Sequence, residues 1–109
     1  MRHILKFTIA LALLASCSSG YDDKAAEMLA QSRDALARKQ YAAAKDTILS
    51  MRVRYPEAIE ARKQAILLLD SIEMEAAADS MTGATGDEWE RLHVKKQFFE
   101  RKLQEDKKR

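Results

Sequence analysis

Between residues 57 and 78 the sequence is apolar around most of a helix, and this stretch constrains the whole chain. Ala58, Ala61, Ala65, Leu68, Leu69, Ile72 and Ala76 recur at helical spacing, and Ile66 and Leu67 widen the face. A helix apolar over so much of its circumference needs neighbours on more than one side. Charges interrupt it too often for a membrane span of about 20 residues. The cover must therefore come from other helices of the chain or from a partner.

The rest of the sequence supplies such helices. Only three Gly and one Pro occur among 109 residues, 33% of the chain is charged, and no segment alternates with period two. The expected fold is all-α. A first helix over 22–39 carries Ala25, Leu29, Ser32 and Leu36 on one face, with Met28 and Ala35 beside them and Asp22 as N-cap. Arg38, Lys39 and Gln40 make a turn. A second helix over 41–54 has the stripe Tyr41, Ala44, Ile48, Met51 and Tyr55. Pro56 bars Tyr55 from helical geometry and suits the start of the third helix, over 57–78. Residues 79–86, with Thr82-Gly83-Ala84-Thr85-Gly86, read as a loop, and Thr85 and Glu88 have capping-box spacing. A charged, amphipathic C-terminal helix then occupies 87–109. Trp89, Leu92, Phe99 and Leu103 share one face, with Val94 and Phe98 off it and Lys96 interrupting the seam.

The N-terminus has a different character. Residues 1–16 have the order of a secretory signal: Arg2 and Lys6, an apolar run over 7–14 too short to span a bilayer, then small residues. The sequence Leu14-Ala15-Ser16-Cys17 at its end resembles the lipobox of bacterial lipoproteins. The resemblance implies cleavage between Ser16 and Cys17, a diacylglyceryl group on the Cys17 sulfur and a further acyl group on the new amine. Two or more acyl chains give stable anchoring. Residues 17–21 would be a lipidated tether, flexible through Ser18-Ser19-Gly20. The location implied is the cell envelope, with the protein held by lipid at a membrane. Ser18 after the cysteine resembles outer-membrane sorting, and Asp22-Asp23 resembles the acidic tag of surface-exported lipoproteins. The periplasmic face and the cell surface both stay open. A helix N-terminus would explain the two acids equally.

Residues 28–56 resemble one tetratricopeptide repeat. Ser32 matches the small packing residue of the first helix, Tyr41 the turn aromatic, Ala44 and Ile48 the small and bulky residues of the second helix, and Pro56 the terminal proline. Met28, Ala35 and Met51 depart from the pattern. The resemblance implies a three-helix unit over 22–78, residues 57–78 being the first helix of a following repeat. With the C-terminal helix it becomes a three- to four-helix bundle. Such arrays normally need about three repeats to be stable. The fourth helix is therefore expected to fold back on the third, with Trp89, Leu92 and Phe99 as the seal. A second subunit or a partner is the other possible cover.

Catalytic chemistry finds few candidates. Cys17 is the lone cysteine, so no intramolecular disulfide or thiolate metal cage can form. Losing Arg2 and Lys6 with the signal leaves seventeen bases against seventeen acids, which gives no general attraction to nucleic acid. His93 would be the one mature histidine, and Glu90 and Gln97 beside it are ordinary surface. Glu73 and Glu75, two apart on a helix, point to different sides. No glycine-rich phosphate loop and no Ser/His/Asp set is visible. The basic tail Lys107-Lys108-Arg109, with Arg101 and Lys102, is interleaved with Glu100, Glu105 and Asp106, as a solvated helix end would be. The expectation is a protein without catalytic residues, metal or cofactor: a lipid-anchored scaffold or protein-binding module. Its partner face would be the helical hairpin's groove or Trp89, Leu92, Phe99 and Leu103. The alternative is a structural lipoprotein that self-assembles into homo-oligomers through the C-terminal helix.

Overall fold

A computed structural model describes residues 21–109. The signal sequence, Leu14-Ala15-Ser16-Cys17 and Ser18-Ser19-Gly20 lie outside the described residues. Within these limits the chain is all-α: α1 over 21–37, α2 Tyr41–Arg54, α3 Ile59–Met81 and α4 Gly86–Lys107, with no strand among the described residues.

The helical periodicity is realised in the core. Ala25 and Leu29 of α1, Ala44, Ile48 and Met51 of α2, and Ala65, Leu68 and Ile72 of α3 form one buried cluster with Ala58. Small residues let α1 and α2 approach closely: Ser32 and Ala44 are both fully buried, and the Ser32 hydroxyl donates to the Ala44 carbonyl at 2.8 Å. That bond satisfies a polar group that burial would otherwise leave unpaired.

The first helix begins earlier than the sequence suggests. Tyr21 is already helical, its ring meets Tyr55 edge-on at 5.1 Å, and its hydroxyl accepts from the Glu57 N–H at 2.9 Å. Tyr21 therefore belongs to the fold and not to a tether over 17–21, and Asp22 lies inside α1 instead of capping it. At the other end, the Lys39 N–H bonds the Leu36 carbonyl and the Gln40 N–H bonds the Ala35 carbonyl, both at 2.9 Å. This is a Schellman ending, with Lys39 at the left-handed position, φ 61°. A side chain there costs about 1 kcal/mol that glycine avoids. Lys39→Gly is expected to stabilise the chain by roughly that amount, less the small loss of an exposed 3.9 Å contact with Asp79. Urea unfolding checks this: an unchanged or lower midpoint would show the left-handed turn to be unstrained.

Pro56 acts differently from expectation. Tyr55 closes α2 by donating to the Met51 carbonyl at 2.8 Å, and the Ala58 N–H returns to the Tyr55 carbonyl at 3.2 Å. Pro56 thus holds the second position of a β-turn, where its fixed φ is favoured, and α3 starts at Ile59 rather than at residue 57. The helix then continues past Ala76, Ala77 and Ala78 through Asp79 and Ser80 to Met81, three residues beyond the expected end at 78. The connection shrinks to 82–85. Gly86, at φ 59°, opens α4 in a conformation that only glycine adopts freely. Thr85 is extended, but its side chain makes no capping bond, so the Thr85–Glu88 box does not form.

The fourth helix folds back antiparallel along α3. Lys95 lies 3.3 Å from Glu73 and Lys102 lies 3.0 Å from Asp70. Glu73 also binds Lys45 at 2.8 Å, so one carboxylate ties α2, α3 and α4 together.

Candidate functional site

With α2 and α4 on either side, α3 floors a cleft of about 670 Å3. Ile66, Leu67 and Leu69 give it an apolar base. Arg52 of α2, Lys63 of α3, and Lys102, Lys107 and Arg109 at the end of α4 give it a basic margin. The acids nearby are largely engaged. Glu60 lies 3.7 Å from Lys63, and Asp106 lies 4.0 Å from Arg109. Among the described residues, Arg52 and Lys107 make no ion pair.

The inner wall holds a buried carboxylate. Asp70, 1% exposed, is the sole charged residue between 65 and 72. Its Oδ1 accepts from the Lys102 ammonium at 3.0 Å, and the same ammonium binds Asp106 Oδ2 at 2.8 Å. Its Oδ2 is buried with no hydrogen-bond donor. Burial raises the Asp70 carboxyl above its usual range, and the adjacent Asp106 carboxyl adds to this while Lys102 opposes it. The contact with Asp70, then Lys102, lowers the Asp106 carboxyl. Bonds to Asp106 and Asp70 raise the Lys102 ammonium.

Two other groups are tuned by the packing. Burial pushes Glu73 up, but the Lys45 and Lys95 ammoniums outweigh it and hold the carboxyl below its ordinary range. Tyr41 is raised by burial and by its 3.2 Å hydrogen bond to Asp79.

The residues singled out from sequence separate into two sets. Ser32, Ala44 and Ile48 meet in the core, Tyr41 packs against it, and Pro56 sits exposed on the turn. On α4, Leu103 is buried and Leu92 and Phe99 are half-buried, so the apolar stripe lies against α3 instead of facing solvent. Trp89 is a weaker seal than expected: it is 39% exposed and stacks on His93 at 4.8 Å. Val94 and Phe98 point outward, at 61% and 52% exposure. Ser16 and Cys17 lie outside the described residues. Among the described residues, no three His, Cys, Asp or Glu side chains gather as a metal site, and no helix is long and apolar enough to cross a membrane.

Sequence reading missed the grouping of Asp70, Lys102 and Asp106. One signal was available: a lone carboxylate in an otherwise apolar helix face is costly unless paired. Its partners are not visible without the register of α4 on α3.

No family model, curated protein or solved structure matches the chain.

Proposed function

We propose that the protein is a lipid-anchored, non-catalytic binding module of the cell envelope. It receives an acidic amphipathic segment of a protein partner in the α2–α3–α4 cleft. The observation that carries the reading is the pairing of an apolar floor, Ile66, Leu67 and Leu69, with a basic margin in which Arg52 and Lys107 make no ion pair among the described residues. An amphipathic helix would lay its apolar face on that floor and its carboxylates against the margin. The lipid anchor rests on the Leu14-Ala15-Ser16-Cys17 motif and its place behind a signal-like segment. The resemblance of 28–56 to a tetratricopeptide repeat, which stacks helices around a concave binding surface, agrees with this reading. Self-assembly through the α4 stripe is less favoured, because Leu92, Phe99 and Leu103 would first have to leave α3.

The test is a photoreactive residue in place of Ile66, irradiated in intact cells. A discrete polypeptide crosslink is expected, and Arg52→Glu with Lys107→Glu should reduce it about tenfold, the equivalent of about 1.4 kcal/mol. No polypeptide crosslink, a crosslink to lipid alone, or a species indifferent to charge reversal would overturn the proposal.

A further inference from the structure

We propose that Asp70, Asp106 and Lys102 form a proton-sharing latch that holds the C-terminal end of α4 on α3 and loosens when the shared proton is lost. The geometry carries it. Two carboxylates close on one ammonium, at 3.0 and 2.8 Å, and one of them is almost wholly removed from water. With both ionised, the cluster holds a net negative charge, and Asp70 Oδ2 is buried without a donor. With one proton on Asp70 the account closes: Oδ2–H has the Asp106 carboxylate, held on the same ammonium, to donate to, Oδ1 accepts from Lys102, and the cluster is neutral. Like carboxylates sharing a site separate their titrations in this manner.

The surrounding charges leave the latch intact. From α4 come Lys102, Asp106 and Arg109, the last 4.0 Å from Asp106. From α3, Glu73 is already held by Lys45 and Lys95, and Glu60 and Lys63 pair with each other farther along the helix. From α2, Arg52 lines the same cleft, and α1 contributes no charge to it.

The sign follows from the two opposed titrations. Asp70 is raised, so the stability its proton confers is present at low pH and lost as pH rises through that raised midpoint. Asp106 is lowered, so its contribution is lost as pH falls through the depressed midpoint. The latch is tightest between the two midpoints. Above them the end of α4 loosens, and because Lys102, Asp106, Lys107 and Arg109 line the cleft, the cleft widens. This holds whatever the cleft binds.

The full-length chain in detergent micelles tests it without any ligand. Carboxyl carbon NMR should show Asp70 titrating above, and Asp106 below, the ordinary aspartate range. Amide exchange over residues 102–107, corrected for intrinsic rates, should show protection falling as pH rises past the Asp70 midpoint. The fall is about tenfold for each pH unit by which that midpoint is raised. Asp70→Asn, whose amide carries no titrating proton, should abolish the fall in protection as pH rises. Both aspartates titrating in the ordinary range, or Asp70→Asn keeping the wild-type pH response, would overturn the latch. If Asp70→Asn does not fold, the carbon titration of the unaltered chain decides alone.

Discussion

Ile48→Ala is expected to lower the stability of the chain by about 2–5 kcal/mol, the range for a large side chain removed from a packed core. Ile48 is fully buried where the core faces of α1, α2 and α3 converge, between Ala44 one turn before it and Met51 one turn after. Small residues at the α1–α2 contact let the backbones approach closely, so there is little room for neighbours to collapse into the space left behind. Small domains have only about 5–15 kcal/mol in total, so the substitution should remove a large share. Trp89→Ala provides the contrast. The indole is larger, but it is 39% exposed and stacks on a single histidine, so its removal should cost less than Ile48→Ala. Urea unfolding of both full-length variants checks the ranking. Equal midpoints would mean that α4, and not the α1–α2–α3 cluster, carries the core.

Cys17→Ser is expected to move the protein from the membrane to the soluble fraction of fractionated cells, with the signal left uncleaved or cut elsewhere. Each methylene of an acyl chain buried in the bilayer contributes about 0.8 kcal/mol, so losing two or three chains outweighs any surface contact available to a chain of near-zero mature charge. No helix among the described residues could substitute as a span. Mass spectrometry of the native protein should find its mature N-terminus at an acylated Cys17. An unmodified cysteine, or a serine variant still processed normally and still pelleting with membranes, would refute the anchor.

Much of the fold was legible in the residues. Helical spacing placed Ala25, Leu29 and Ser32 on one face and Ala44, Ile48 and Met51 on another. The Arg38-Lys39-Gln40 break was equally clear, because the apolar stripes on either side of it are local patterns of neighbouring residues. Errors gathered at the ends of elements. Pro56 suits both a β-turn and a first helical position, and packing on Tyr21 and Tyr55 accompanied the choice of turn. The third helix runs three residues past its expected end, through Asp79, which Tyr41 of α2 holds by a hydrogen bond. Thr85 and Glu88 had capping-box spacing, yet the left-handed Gly86 turns the chain away from that geometry.

The candidate site was less legible. Asp70 was one acid among seventeen, and Lys102 and Asp106 read as part of a solvated tail. Their convergence depends on an antiparallel register between helices thirty residues apart, and pair distances across helices follow from how whole faces interlock.

Sequence alone settled that the chain is helical and which stripe of each helix is apolar, since a 3.6-residue period is written into consecutive side chains. Tertiary structure decided that the α4 stripe turns inward onto α3, that Glu73 joins three helices, and that a buried carboxylate meets its ammonium beside an open cleft. Those outcomes depend on the relative placement of distant segments, which no local pattern of side chains encodes.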